Sequence, residues 1–130
     1  MNKYKLILPI YGVVSVKKKG VSLSMNWYRN AHYQSSATAK KRFKKLIMPQ
    51  LIELDILKGK LRIDYVYYAK RKGSDLDNFI GCAKKFLQDS LTECGLIVDD
   101  NCSVIVKNTE VYAGIDNENP RIEAFITELD

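Results

Sequence analysis

An Asp-x-Asp pair, Asp75 and Asp77, and an Asp-Asp pair, Asp99 and Asp100, bracket the segment SDLDNFIGCAKKFLQDSLTECGLIVDDN of residues 74–101. Paired carboxylates in a chain whose net charge is +6 suggest a site that holds a divalent cation against phosphate. Each pair also has a purely structural reading. Ser74 followed three residues later by Asp77 matches a capping box, and acids in the first turn of a helix are favoured by its dipole. Asp99, Asp100 and Asn101 suit a turn, because such side chains readily bond their own backbone. Three or four converging carboxylates would repel one another unless magnesium or manganese, which select hard oxygen ligands, neutralised them. Such an ion would bring a water toward deprotonation and stabilise charge on a phosphate in flight.

The elements between the two pairs decide whether they can meet. Phe79, Ala83, Phe86, Leu87 and Leu91 recur at helical spacing over residues 75–93, with Gly95 placed to end the helix. A helix of about 20 residues is roughly 30 Å long, so the pairs cannot meet across it. They meet if the helix begins later than Asp77, or if the chain after Gly95 runs back as a strand beside one ending at Ala69. An antiparallel return of some six residues would cover about 20 Å.

The rest of the chain predicts the scaffold. Residues 4–9 and 13–16 read as strands of an opening hairpin, followed by a turn at Lys17, Lys18, Lys19 and Gly20. Residues 36–54 read as an amphipathic, strongly basic helix, with Ala37, Ala39, Phe43, Leu46, Ile47, Leu51 and Ile52 on its apolar side. Pro49 should bend it or end it early. Leu61, Ile63, Tyr65 and Tyr67 alternate with Arg62, Asp64, Val66 and Tyr68, the pattern of a strand over 60–69, and 70–73 is a basic turn. Two further strands are expected over 104–111 and 121–129. The order ββαβαββ predicts an α+β fold, a small mixed β-sheet covered on one side by two helices, with residues 1–130 forming a single domain.

Charge is unevenly spread. Residues 1–72 carry 17 Lys and Arg against 3 acids, and residues 73–130 carry 4 against 12. In one small domain this sets a basic surface close to an acidic patch, as a polyanion held near a metal site would require. Cys82, Cys94 and Cys102 have no Cys-x-x-Cys spacing and His32 is the single histidine, so neither a disulfide framework nor a zinc site is supported, and buried thiols are expected. No apolar run is long enough for a membrane span and the N-terminus does not read as a secretory signal, so a soluble, cytoplasmic protein without a membrane partner is expected.

The order Asp75-x-Asp77-Asn78, Lys85-x-x-x-Asp89-x-Leu91, Gly95 and Asp99-Asp100 resembles the signature of the RusA family of Holliday junction resolvases. Ser24-x-Asn26-x-Tyr28-Arg29 resembles the family's Ser-x-Asn segment, and Pro120-Arg121-Ile122-Glu123 its closing strand. The resemblance implies a small α+β homodimer that binds four-way DNA junctions. It would cut two opposed strands by phosphodiester hydrolysis with magnesium or manganese, in recombination and repair, and the family is often phage-borne. Asp75, Asp77 and Asp100 match the family's essential aspartates, with Asp99 and Asp89 at further acidic positions; Asp75, Asp77, Asp99 and Asp100 are then the expected metal ligands. The family carries a lysine three residues after the Asn, where this chain has Gly81. An insertion of about one helical turn restores the pattern with Lys85 as the catalytic lysine and Lys84 as the alternate.

DNA would give the basic half a task. Lys40, Lys41, Arg42, Lys44 and Lys45 on the first long helix, with Arg29, Lys70, Arg71, Lys72 and Lys84, can track phosphates without reading sequence, or serve as a solvated face. Trp27, Tyr28 and Tyr33 either stack on bases exposed at a branch point or belong to the core. His32 is expected to be a satisfied surface residue without a catalytic role. A four-way junction is nearly two-fold symmetric, so a homodimer could nick symmetry-related strands. Alternatives are a non-catalytic branched-DNA-binding module of the same fold and a nuclease for flaps or other branched DNA.

Overall fold

The computed structural model describes residues 2–18, 20–73 and 75–129. Four strands and three helices follow the chain as β1 (Lys3–Leu8), α1 (Met25–Asn30), α2 (Tyr33–Leu51), β2 (Lys60–Ala69), α3 (Leu76–Glu93), β3 (Ile105–Ile115) and β4 (Arg121–Leu129). The α+β reading holds, and the sheet is mixed, in the order β1-β4-β2-β3. β2 pairs antiparallel with β4 and parallel with β3, and β4 pairs antiparallel with β1. Because β2 and β3 run the same way, the chain between them must return along the length of the sheet. α3 is that return.

Strand β2 has the expected bounds and alternation. Leu61, Ile63, Tyr65, Tyr67 and Ala69 are buried beneath the helices, while Arg62, Asp64, Val66 and Tyr68 occupy the other, half-exposed face. In α2 the row Ala39, Phe43, Ile47 and Leu51 is spaced four apart and wholly buried, whereas Leu46 and Ile52, expected on the same stripe, are exposed. The helix carries Pro49 in its final turn and stops at Leu51, earlier than residue 54. Phe43 and Phe86 meet edge to face at 5.7 Å and join α2 to α3.

The opening hairpin is not formed. Residues 13–16 are not a strand, and Tyr11 makes only an isolated bridge to Ser22. Arg42 explains why: its guanidinium donates to the carbonyls of Val13 and Val14, so α2 satisfies backbone that a hairpin would have paired. Lys19 in the expected turn, like Ser74 of the expected capping box, lies outside the described residues. The order is therefore βααβαββ: the strand expected over 13–16 is absent, and the short α1 forms at Met25–Asn30, where no element was expected. There are three helices, not two: α2 and α3 lie on the sheet and α1 docks on α3.

Of the three thiols only Cys82 is buried, and burial pushes it up to about 12; Cys94 and Cys102 are exposed, which corrects the expectation that all three are core. Among the described residues no helix is long and apolar enough to cross a membrane.

Gly81 is where α1 crosses α3. A Cβ at this position would stand 2.7 Å from Met25 Cγ, closer than van der Waals contact allows. Glycine costs about 1 kcal/mol in a helix interior relative to alanine, so its presence marks a close approach. Gly81→Ala should therefore lower stability despite its better helix propensity. Thermal unfolding of Gly81→Ala, Met25→Ala and the double variant should show a favourable coupling of about 1 kcal/mol; additive effects would mean that Gly81 and Met25 do not constrain each other.

Candidate functional site

The turn from β2 into α3 builds one wall of the candidate site. Asp75 caps α3: its Oδ1 accepts the Asp77 backbone N–H at 3.1 Å, which leaves Oδ2 outside the cap. The N-cap is thus Asp75 itself. Asp77 sits in the first turn, where the helix dipole favours a negative charge. Both carboxylates are exposed.

α1 builds the facing wall. At six residues it is too short to be stable by itself, and its first N–H groups need acceptors. Ser24 Oγ accepts from the Trp27 N–H at 3.2 Å, and Asn78 Oδ1, reaching across from α3, accepts from the Asn26 N–H at 2.7 Å. This bond joins residues 52 apart in the chain. It closes a cleft of about 410 Å³ lined by Met25, Asn26, Arg29, Asp75, Asp77 and Asn78. Two carboxylates, two carboxamides and a guanidinium therefore share one concavity, and the exposed turn Lys70, Arg71, Lys72 and Gly73 that ends β2 precedes it in the chain. Lys70 also lies over the Tyr11 ring at 5.1 Å.

Asp99 and Asp100 are elsewhere. They precede β3, while Asp75 and Asp77 follow β2, and in a parallel pair these are opposite ends of the sheet. The return strand expected after Gly95 is absent, and β3 runs parallel, not antiparallel, to β2, so the chain does not come back toward Asp75. Among the described residues no three His, Cys, Asp or Glu side chains are grouped to hold a metal.

Asp99 is absorbed by its own loop: its oxygens accept from the Asp100 N–H at 2.7 Å and from Asn101 Nδ2 at 3.0 Å. These bonds, the backbone one first, hold its carboxyl below the usual range. Asp100 is the opposite case. Loss of solvation, then the neighbouring carboxylates Asp99 and Asp89, push its carboxyl up.

The lysines divide in the same way. Lys84 is tied to Glu110 on β3 at 2.9 Å, so the alternate catalytic lysine is anchored to the sheet. Lys85 is exposed, lies over the Tyr28 ring at 6.0 Å and continues the row Asp77, Gly81, Lys85 along α3. Eight residues place it about 12 Å along the axis from Asp77.

On α2, Lys40 bonds Asp89 and Glu93 at 3.1 and 3.2 Å and Lys44 reaches Glu93 at 3.6 Å, so these two serve as ties to α3. Lys41 and Lys45 remain exposed beside a shallow hollow of about 510 Å³. Of the α2 cations named for a phosphate track, Lys40, Arg42 and Lys44 are thus engaged within the fold, and Lys41 and Lys45 are exposed.

Tyr28 packs on the core against Phe86 at 5.9 Å and Trp27 is partly buried, whereas Tyr33 stands 72% exposed. His32 caps α2, its Nδ1 accepting from the Gln34 N–H at 3.2 Å. Sequence reasoning named Asn26 and Asn78 within motifs but gave them no role in the site. The signal for Asn26 was Ser24, a helix cap three residues before Trp27.

No model of a known protein family matches the chain, and no curated protein matches it either.

The environment of Asp100 sets a measurable sign. A carboxyl whose folded pKa is raised is stabilised when protonated, so its contribution is present at low pH and lost as pH rises through the folded value. In metal-free buffer Asp100→Asn should raise the melting temperature slightly at neutral pH, with the gain vanishing below the ordinary carboxylate range. Thermal unfolding across that range checks it; a variant less stable at neutral pH would mean the charge is held favourably.

Proposed function

We propose that this chain is a metal-dependent, structure-selective endodeoxyribonuclease that hydrolyses phosphodiesters in branched DNA, with four-way junctions as substrate. The observation that carries this reading is the bond between Asn78 and Asn26, which sets the Asp75 and Asp77 carboxylates in one cleft with Arg29. The two segments that meet there are those whose residues resemble the RusA family.

The donor set suits magnesium or manganese. Magnesium is commonly held by one or two carboxylates plus water and substrate phosphate, without an all-protein cage. Asp75, through the oxygen its cap leaves over, and Asp77 supply that number. When bound, the ion supplies Lewis acidity toward the phosphate and activates water as the nucleophile.

The chain's own residues do the rest. Arg29 meets a phosphate at the cleft, and Lys70, Arg71 and Lys72 guide the strand toward it. Lys85, on the same row of α3 as Asp77, is available to a neighbouring phosphate.

A second reading, a non-catalytic module that binds branched DNA, draws on Gly81 in place of the family lysine and on the distance of Asp100 from the cleft. The two separate on synthetic four-way junctions with magnesium. Asp77→Asn should bind as the parent does and cut about 10³-fold more slowly, since the ion is worth several kcal/mol of transition-state stabilisation. A parent protein that binds but never cuts leaves the binding module, and equal cutting of plain duplex removes junction selectivity.

Phosphate-led binding has its own signature. Lys72→Ala should weaken binding uniformly across sequences and reduce the slope of log K against log salt by about 1. A slope unchanged within error would take Lys72 out of the DNA path.

A further inference from the structure

The end of the molecule away from the cleft carries an exposed apolar surface. The chain leaving α2, residues 52–57, and the turn leaving α3, residues 94–98, meet where the Leu57 N–H donates to the Leu96 carbonyl at 2.9 Å. Between them and the last turn of α2 lies a hollow of about 330 Å³, lined by Met48, Leu51, Ile52, Leu54, Cys94 and Leu96. The same two segments expose their other aliphatics. Ile52 is 72% exposed, Ile56 65% and Val98 87%, and no other Val, Leu or Ile among the described residues is as exposed. Single apolar side chains are ordinary on a surface, but three gathered on the segments that form an apolar hollow mark a docking face.

The charge around the hollow selects what fits it. Residues 52–57 and 93–100 carry Glu53, Asp55, Glu93, Asp99 and Asp100 and no Lys or Arg, in a chain whose net charge is +6. Glu93 is shared by Lys40 and Lys44, but no ion pair among the described residues engages the other four. Their negative charge is left for something outside the chain to meet. Nucleic acid is repelled by such a rim, so this end of the molecule is not part of a phosphate path. A second copy seated here about a two-fold axis would set the same acids against themselves.

We propose that this hollow docks a different protein through a basic, apolar-anchored segment. Two or three large apolar side chains of that segment enter against Leu51, Leu54 and Leu96, and flanking Lys or Arg face Glu53, Asp55 and Asp99. The apolar anchors supply affinity and the opposed charges supply specificity and encounter rate. The eighteen residues of α3, about 27 Å, separate this face from Asp77, so an occupant here leaves the cleft open. The face thus serves to hold the chain beside its partner while the other end works. This docking does not rest on the nuclease reading.

A peptide titration tests it. The probe is an amidated peptide of Leu and Lys in amphipathic helical register, and the control is its Leu and Glu counterpart. Added to the isotope-labelled protein, the Leu and Lys peptide should shift the amide resonances of residues 51–57 and 94–99, with an affinity that falls as salt rises. The Leu and Glu peptide should bind about tenfold more weakly or less. Ile52→Ser with Val98→Ser, both at exposed positions, should keep the parent circular dichroism and weaken binding about tenfold. Glu53→Lys with Asp55→Lys should reverse the preference between the two peptides. Equal binding of both peptides, shifts centred on Asp75, Asp77 and Asn78, or unchanged affinity in the Ile52 and Val98 variant overturns the docking site. So does a parent protein that sediments as a dimer which this variant dissociates, since the occupant is then a second copy. Flotation with phosphatidylcholine vesicles that this variant abolishes likewise overturns it, in favour of lipid.

Discussion

Two parallel strands cannot be joined by a tight turn, and this constraint governs the molecule. β2 and β3 lie side by side and point the same way, so the chain must travel back along the sheet before β3 can start. The eighteen residues of α3 make the journey and bury Ile80, Ala83, Phe86, Leu87 and Leu91 as they do so. That burial, at about 2 kcal/mol for each large side chain, is the principal support of the helix layer. α1 and α2 then dock on α3, one through Gly81 and Asn78, the other through Phe43 and the Lys40 ion pairs. The cleft exists because the journey starts with Asp75, and it stands far from Asp100 because the journey ends there.

The strands and long helices were legible where one physical pattern acted alone. β2, buried on one face, shows clean alternation, and its bounds followed from it. α3 shows its apolar stripe and its glycine stop. The hairpin at the start was misread because residues 13–16 carry strand-like side chains while Arg42 claims the carbonyls of Val13 and Val14, contacts 29 and 28 residues away that no local pattern contains. α1 was missed because six residues are too few for a period, and beside its Ser24 cap one of its first N–H groups finds its acceptor on another helix. The site was half legible: Asp75 and Asp77 stand out by type and spacing, but whether Asp99 and Asp100 join them depends on strand direction, and amphipathic pattern is blind to direction.

The opposed charges of the two halves are used inside the fold as well as on its surface. Lys5 meets Glu123 across the β1 and β4 pair, and Lys40 and Lys44 meet Asp89 and Glu93 across α2 and α3. These pairs are partly exposed and individually worth little. Their effect is geometric: they spend the cations of one α2 face on neutralising α3, while Arg29 and the turn at Lys70, Arg71 and Lys72 stay near the carboxylates of the cleft.

The Asn78 carboxamide has a consequence in time as well as in space. α1 cannot persist as an isolated six-residue helix, and one of its first N–H groups finds its acceptor only once α3 is wound and seated. The wall carrying Arg29 therefore depends on α3 being wound and seated, and it loses an anchor when α3 frays at its N-terminus. A chain that has not finished folding has no cleft, so a half-made copy carries the same charges without Arg29 and the two carboxylates gathered in one concavity.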